Sequence, residues 1–406
     1  MGFGQGLSGL NAASQNLDVI GNNIANSSTV GFKTATVNFA DVYASSKVGL
    51  GVGVASINQR FTVGNVSTTG NQFDMAIDGP KGLFRLEDHS GAIVYSRNGQ
   101  FAPNKDLYLV NAQGHKLTGY APGSNTPSPI RVPTGNIDPK ATSRVDFPAN
   151  FDANAPAITA TFDAENPDTY TNSHPFNVYD SLGNAHQLTQ YFVKKEGTVP
   201  TPPATGDGES VWEVHYRLNG AVVGDGTPQQ LTFSSAGRLL TPTAGVPLTI
   251  SVPSANSPAE ELTITMSYAN STQFGGNFNT TPIQDGYPTG EYASMSVASD
   301  GRLVANYTNG ETVEVGSLVL ADFNNLQGLQ ALGGNAWAET ATSGQPLLGR
   351  PGENGLAVIK GQSVEESNVD MSQELVNMII AQRTYQANAQ TIKTQDQILQ
   401  TLITMR

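Results

Sequence analysis

Residues 8–33 read SGLNAASQNLDVIGNNIANSSTVGFK, and Asp18 is the only charged residue among the first 32. Apolar residues recur at helical spacing through this part of the chain. The pattern predicts an amphipathic helix that starts almost at the first residue and ends in an Asn-rich, Gly-containing stretch. A helix with so little charge needs a partner that covers its apolar side. The apolar positions are Phe3, Leu7, Leu10, Leu17 and Ile24.

The other end of the chain carries a matching pattern. Residues 368–406 read NVDMSQELVNMIIAQRTYQANAQTIKTQDQILQTLITMR, and Asp370 followed by Gln373 forms a plausible capping pair for one long helix. Steps of four and three residues reach mostly apolar side chains, a spacing typical of coiled coils. The same steps fit the first helix, so the two ends are able to pair. The positions reached are Met371, Leu375, Met378, Gln382, Tyr385, Ala389, Ile392, Asp396, Leu399 and Ile403.

The middle of the chain is different. Of the 23 prolines, 19 lie between residues 121 and 290, and none lies in 1–79 or 352–406. Proline is excluded from helix interiors and central strands, so the middle is predicted to be strands and turns. Short alternating runs bounded by tight-turn dipeptides predict antiparallel hairpins. These dipeptides are Asn98-Gly99, Asp300-Gly301 and Asn309-Gly310.

Composition narrows the class of protein. At 406 residues the chain has room for several compact units, and its charged fraction of 14% is below the roughly 25% of ordinary globular proteins. A net charge of −13 without a basic stripe argues against a nucleic-acid partner. The absence of cysteine excludes disulfides and thiolate chemistry. We find neither a cleavable secretory signal nor an apolar run long enough for membrane insertion.

Candidate catalytic and metal-binding patterns are weak. Gly4-Gln5-Gly6-Leu7-Ser8-Gly9 matches G-x-G-x-x-G, but no strand precedes it, so we expect the glycines to allow close packing or flexibility instead of nucleotide binding. The five histidines are scattered singly, without a spacing that ligates a metal. Carboxylate pairs such as Glu260-Glu261 lack a partner group that would make an acid and base. We therefore predict no enzyme activity, no cofactor and no metal site.

The surface of the last helix favours assembly. Residues 367–406 contain six charged side chains and ten Asn or Gln, whereas solvent-facing helices usually carry denser, alternating charge. Neutral amides pack against further copies of a chain without burying ions. Two lone terminal helices also bury little apolar area, so neighbours would supply the missing burial. We therefore predict self-assembly through the chain ends.

These residues carry a specific resemblance. The stretch SGLNAASQNLDVIGNNIANSSTVGFK resembles the N-terminal signature of the bacterial flagellar axial family of rod, hook and hook-associated proteins. SNVDMSQELVNMIIAQRTYQANAQTIKTQDQILQTLI is similar to that family's C-terminal signature. The stretches FADVYASSKVGLGVGV, YSRNGQF and NAQGHKLTGY, together with a large inserted β-domain, are most similar to the hook members of the family.

The resemblance implies a multidomain fold. Long N- and C-terminal α-helices would form a coiled-coil-like inner domain, with two mainly antiparallel β domains inserted between them. When assembled subunits bend, the flexibility is expected to lie in the connector segments between the helices and the β domains. The predicted divisions are residues 1–32 and 367–406 for the terminal helical polymerisation domain, 33–70 and 354–366 for the connector, 71–145 and 284–353 for the inner β domain, and 146–283 for the outer β domain.

The resemblance also implies a role. The chain would be a structural subunit that forms a curved hollow tube, the hook, which acts as a universal joint between rod and filament and leaves a central channel for export. It would be extracellular, exported without a cleaved signal peptide by the flagellar type III export apparatus. The homopolymer would meet the distal rod protein, the hook-associated junction protein, the hook cap protein and the hook-length control protein.

The self-assembly interface implied by this resemblance lies on both chain ends. It consists of the apolar positions of the two helices and the amide-rich close of the first. The predicted residues are Leu7, Leu10, Leu17, Ile20, Asn22, Asn23, Ile24, Asn26, Gly31, Phe32, Leu375, Met378, Ile379, Tyr385, Ile392, Leu399 and Ile403.

Two alternatives stay open at this point. A distal rod or hook-associated junction protein would share the same ends but stop at a short layer. A secreted β-rich glycan-binding or hydrolytic protein with helical oligomerisation ends belongs to another class. Saturable sugar binding by residues 146–283, or activity lost with one carboxylate pair, would distinguish it.

Overall fold

The computed structural model describes residues 3–42, 50–198, 209–242, 246–250 and 258–404. Helix α1 (Phe3–Ala25) opens the chain and helix α2 (Met371–Thr404) closes it, with β-rich structure between them. The prediction of terminal helices around a β-rich middle is confirmed. The chain divides into two compact units: unit 1 is Met1–Thr134, Ala293–Asn306 and Thr312–Arg406, and unit 2 is Gly135–Tyr292 and Tyr307–Glu311.

The first strands after α1 belong to unit 1. Residues 35–42 and 51–59 form the two longest of them and are at most half-buried, whereas the fully buried residues lie on strands between residues 75 and 120. The strands are β1 (Ala35–Val42), β2 (Gly51–Gln59), β3 (Val66–Thr68), β4 (Met75–Asp78), β5 (Leu83–Glu87), β6 (Ile93–Ser96), β7 (Ala102–Pro103), β8 (Leu109–Val110), β9 (Lys116–Tyr120) and β10 (Pro127–Pro129).

The next thirteen strands and a 3₁₀ turn at Pro167–Thr169 follow in the middle of the chain. They are β11 (Arg144–Asp146), β12 (Ala149–Asp152), β13 (Asn172–Tyr179), β14 (Ala185–Thr198), β15 (Glu209–Leu218), β16 (Ala221–Val222), β17 (Gln229–Phe233), β18 (Leu239–Thr241), β19 (Val246–Ile250), β20 (Leu262–Ser267), β21 (Thr272–Phe274), β22 (Asn279–Thr280) and β23 (Ile283–Gln284).

The chain then returns to unit 1, with a second 3₁₀ turn at Leu326–Gly328. The returning strands are β24 (Tyr292–Val297), β25 (Arg302–Tyr307), β26 (Thr312–Leu318), β27 (Leu320–Asp322), β28 (Gln330–Gly333), β29 (Ala336–Ala338), β30 (Leu347–Gly349), β31 (Val358–Gly361) and β32 (Ser363–Glu365).

Unit 1 is built on a large sheet whose strand order is β24-β25-β26-β9-β5-β6-β29-β28. Tyr95, Phe323 and Trp337 belong to its buried apolar cluster, and the Tyr95 and Phe323 rings meet edge to face at 4.8 Å. The last strands pair with early ones, β32 with β3 and β31 with β4, both antiparallel. This pairing brings the end of the β-rich region back beside its beginning. The β1–β2 hairpin lies against α1.

Unit 2 combines an antiparallel sheet, β13-β14-β15-β17-β18, with two smaller sheets. Its core is aromatic: Phe151 lies 4.9 Å from Trp212 and 5.2 Å from Phe192, measured between ring centroids. Two pairs are parallel, β11 with β20 and β12 with β21. In each pair, a strand near the start of the unit, β11 or β12, lies beside a strand that comes more than 100 residues later.

The predicted hairpin turns have different outcomes. Gly301 and Gly310 adopt φ of +81° and +86° in turns between β24 and β25 and between β25 and β26, as predicted. The prediction at Asn98-Gly99 is wrong, because β6 pairs with β5 and β29, whereas β7, which follows the dipeptide, pairs with β8. A Cβ on Gly99 would collide with the carbonyl oxygen of Met75, so this glycine permits a close backbone approach.

Candidate self-assembly surface

Helix α2 begins where the sequence predicts. The Asp370 carboxylate accepts a hydrogen bond from the backbone N–H of Gln373 at 3.1 Å, which satisfies one of the free donors of the first turn. The Gln373 side chain does not return this bond; its amide donates to Asn377 at 3.1 Å. The cap is therefore formed by Asp370 alone.

The two terminal helices lie against each other through small residues. A Cβ on Gly6 would lie 3.1 Å from Cγ1 of Ile392, and one on Gly9 would lie 2.8 Å from Oδ1 of Asn388. Asn23, at the other end of α1, reaches Glu374 near the start of α2, so the helices run antiparallel. The glycines of the G-x-G-x-x-G match thus permit close helix packing, which is one of the roles expected from the sequence.

The predicted interface residues of α1 and the turn after it divide by burial. Ile20, Asn23, Gly31 and Phe32 are buried within the single chain, so these residues are already committed to intrachain contacts. The other predicted residues of this region are partly or fully exposed and can contact another copy of the chain. Leu10, Leu17, Ile24 and Asn26 are half-buried, and Leu7 and Asn22 are exposed.

The predicted residues of α2 lie mostly on the surface of the chain. Met378 and Ile392 are half-buried against the rest of the unit, whereas the others are exposed, with Ile403 exposed to 75%. A soluble monomer rarely leaves so many large apolar side chains of one helix in water. The exposed predicted residues are Leu375, Ile379, Tyr385, Leu399 and Ile403.

Four exposed apolar residues of α2 form a contiguous patch, which we call the α2 patch. It consists of Leu375, Val376, Ile379 and Ile380, spaced i, i+1, i+4 and i+5, and each is between 46% and 57% exposed. Ile380 also lines a groove of about 450 Å³ between α1, α2 and the β1–β2 hairpin. The patch and the groove therefore form one continuous apolar surface of unit 1.

A buried charge cluster was not predicted from the sequence. The carboxylate of Glu365 on β32 lies 2.6 Å from Nζ of Lys33 and 3.4 Å from Nη1 of Arg97, and all three side chains are essentially inaccessible to water. Gly64 donates its backbone N–H to the same carboxylate at 2.8 Å. Burial lowers the pKa of Lys33 below its ordinary value, and the nearby Glu365 carboxylate opposes that shift.

The cluster links the two chain ends. Lys33 closes the N-terminal stretch, Glu365 lies shortly before α2, and Gly31 donates its backbone N–H to the carbonyl oxygen of Glu365 at 2.8 Å. Gly31 adopts φ of +72°, and a Cβ there would lie 2.6 Å from the backbone nitrogen of Asn98. The only sign of this cluster in the sequence is Lys33, a single lysine that follows a long uncharged stretch.

The described ranges also bear on other classes of function. Among the described residues, no group of three or more His, Cys, Asp or Glu side chains is arranged to hold a metal ion. No described helix combines the length and apolar character needed to span a membrane.

Four family models of flagellar proteins match separate parts of the chain and leave residues 34–75 and 288–359 unmatched. The model described as "Flagella basal body rod protein" matches residues 5–33, and "Flagellar hook protein FlgE/F/G D1 domain" matches residues 76–150. "Flagellar basal body protein FlaE D2 domain" matches residues 150–287. "Flagellar basal body rod FlgEFG protein C-terminal" matches residues 360–405.

Relatives and a solved structure agree with these models. The chain is 43% identical to the flagellar hook protein FlgE of Escherichia coli (strain K12) over 419 residues, covering 100% of both chains. It is 33% identical to the FlgE of Borreliella burgdorferi, covering 99% of this chain and 98% of that one. The crystal structure of Helicobacter pylori flagellar hook protein FlgE2 shares the fold, with a TM-score of 0.57, 16% identity, and coverage of 74% of this chain and 100% of that chain.

Full-length identity at this level, with terminal helices around a β-rich middle, decides the family. The chain belongs to the flagellar hook protein FlgE family.

Proposed function

We propose that the chain is the structural subunit of a bacterial flagellar hook. Copies assemble into a curved hollow tube that acts as a universal joint, passes torque from the rod to the filament, and encloses a channel for export. The subunit has a structural role and not a catalytic one. The 43% identity to FlgE over the full length supports the hook over the rod and junction alternatives.

The α2 patch is the main structural support for this assembly mechanism. Burying a large aliphatic side chain fully is worth about 1.5–3 kcal/mol, so four half-exposed ones leave a substantial free energy to be gained on contact with another copy. The groove beside the patch is apolar enough to extend that contact. In the tube, the helices of neighbouring subunits then form a coiled-coil-like inner domain.

The polar residues of α2 have a complementary role. Asn and Gln outnumber charged residues in 367–406, ten against six. Neutral amides hydrogen-bond across subunit contacts without the desolvation cost of ions. Where they face the channel, they form a wall that does not retain passing chains by charge.

The four-part division expected from the sequence is proposed for the assembled state. Residues 1–32 and 367–406 polymerise, 33–70 and 354–366 connect, 71–145 and 284–353 form the inner β domain, and 146–283 form the outer one. The subunit leaves the cell through the flagellar type III export apparatus without a cleaved signal. In the flagellum it meets the distal rod protein, the hook-associated junction protein, the cap protein and the length-control protein.

Electron microscopy of the concentrated full-length protein tests this function. The double variant Leu375→Asp/Ile379→Asp places two carboxylates in the α2 patch, and Gln100→Asp/Gln113→Asp adds the same charge at exposed polar positions outside both terminal helices. We expect curved tubes from the wild type and the control, and monomers from the patch variant. Tubes from the patch variant, or single short layers from the wild type, would contradict the proposal.

A further inference from the structure

The N-terminal motif contains two adjacent asparagines with opposite environments. Asn22 is exposed, and its side-chain oxygen accepts a hydrogen bond from the amide of Asn26, in the turn just after α1, at 3.0 Å. Asn23 is 1% exposed. A buried carboxamide is costly unless its donors and acceptor are satisfied, so the contacts of Asn23 define what it does.

Asn23 binds the backbone of a strand as another strand would. Its Nδ2 donates to the carbonyl oxygen of Ala35 at 2.8 Å, and its Oδ1 accepts from the N–H of Ala35 at 2.9 Å. Nδ2 also lies 3.4 Å from the carboxylate of Glu374. One side chain thus joins α1, the first residue of β1, and the first turn of α2.

Asn368 makes the corresponding contacts from the other chain end. Its Oδ1 accepts from the backbone N–H of Thr34 at 2.7 Å. Its Nδ2 donates to the carbonyl oxygen of Arg60 at 2.7 Å and to the hydroxyl of Thr62 at 2.9 Å. Thr34 and Ala35 are adjacent in the chain, so the two carboxamides hydrogen-bond to the backbone of consecutive residues.

We infer that Asn23 and Asn368 form an amide clamp on residues 34–35 that fixes the direction in which both terminal helices leave the β-rich part of unit 1. The clamp makes α1, α2 and the β1–β2 hairpin one rigid body. Directed hydrogen bonds to backbone on both sides resist rotation better than apolar contacts, which are non-directional. Asn23 and Asn368 are therefore positioning residues.

The clamp changes where the hook bends, an inference that rests on the proposed function. The sequence suggested compliance in 33–70, but residues 34 and 35 are held at the beginning of that segment. Torque and bending load applied to the helices pass directly into the β-rich part of unit 1 through the clamp. Removal of the clamp would therefore add a hinge at the bases of the helices.

A distance measurement on the monomer tests the clamp independently of assembly. The chain has no cysteine, so spin labels at Gln15→Cys on α1 and Lys105→Cys in unit 1 report without background. Both positions are exposed. Asn23→Ala removes the clamp from α1, and Asn22→Ala makes the same chemical change one residue earlier. Asn368→Ala is the second clamp variant, in case Asn23→Ala does not fold.

We expect the label-to-label distance distribution to broaden about twofold in either clamp variant and to stay unchanged in Asn22→Ala, because local opening follows the loss of local bonds. Tubes formed by the clamp variants should show a persistence length reduced about twofold, since a hinge adds compliance. An unchanged distribution in a folded clamp variant would overturn the inference. If the wild-type protein forms no tubes, the proposed function is contradicted instead. The label-to-label distances in the monomer then test the clamp by themselves.

Discussion

Nζ of Lys33 lies 2.6 Å from Oε1 of Glu365, and both side chains are fully buried although they are 332 positions apart in the sequence. Arg97 approaches the same carboxylate, so one negative charge faces two positive ones inside unit 1. Breaking a buried ion pair costs more than the pair contributes, because the remaining charge is left in a medium of low polarity. The carboxylate of Glu365 is therefore the critical member.

We predict that Glu365→Gln lowers the free energy of unfolding of unit 1 by about 3–5 kcal/mol, since it removes the carboxylate that the buried Lys33 and Arg97 share. Glu366→Gln is the matched control: Glu366 is exposed, and it accepts one 3.3 Å bond from Asn65. Urea unfolding followed by circular dichroism measures both variants. Equal unfolding midpoints for the two would contradict the role given to the cluster.

The β1–β2 hairpin offers a second matched pair. Gly51 adopts φ of +121°, and a Cβ there would collide with the hydroxyl of Ser8 on α1, whereas a Cβ on Gly53 would meet only Val42 at an ordinary 3.5 Å. We predict that Gly51→Ala destabilises unit 1 by about 1–3 kcal/mol. Gly53→Ala should change the thermal midpoint little. The account of hairpin packing fails if both variants melt like the wild type.

The small-residue contact between the helices predicts opposite effects of one substitution at two sites. Gly9→Leu forces a side chain into Asn388 and should cost about 1–3 kcal/mol by overpacking. Gly21→Leu enters open space, with nothing within 4 Å, and should gain up to about 1 kcal/mol from helix propensity. Thermal melting of the helical signal distinguishes them. A stabilising Gly9→Leu would show that the helices do not pack as described.

Much of this fold follows from the sequence, for identifiable reasons. The terminal helices are visible because Asp370 supplies a cap and apolar residues recur at helical spacing over many turns. Hairpins at Gly301 and Gly310 are visible because a positive φ favours glycine locally. These features depend on residues close together in the chain.

The remainder depends on contacts between distant residues. Apolar spacing favoured large side chains as the helix contact, whereas the contact uses Gly6 and Gly9, which an apolar count passes over. Gly99 resembles a turn residue but allows a close approach to Met75. The pairing of Lys33 with Glu365 has no local signal, because only the return of β32 to β3 brings the two together.

Two histidines predict how the stability of unit 2 depends on pH. Burial lowers the pKa of His215 and of His174 below the ordinary 6.5. For His215, Lys195 and Arg217 lower the pKa further, and Glu213 opposes them. The unfolded histidines take up protons near pH 6.5 and the folded ones resist, so stability is full above pH 6.5 and falls as the pH drops through that value.

His215→Phe removes the titrating group and retains the ring that stacks on Phe162 at 4.0 Å. Urea midpoints between pH 7.5 and 5.5 should therefore fall less steeply in this variant than in the wild type. Trp212 reports on unit 2 alone in a Trp337→Phe background, because the chain has only two tryptophans. Parallel pH profiles with and without His215 would refute the assignment.

We expect the exposed apolar residues of α2 to be the assembly surface of the hook. A helical reconstruction of the assembled tube by cryo-electron microscopy tests it most directly. We predict that α1 and α2 form the innermost layer and that neighbouring subunits bury Leu375, Ile379, Leu399 and Ile403. A tube in which these four side chains remain in solvent, or in which the β-rich units line the channel, would contradict it.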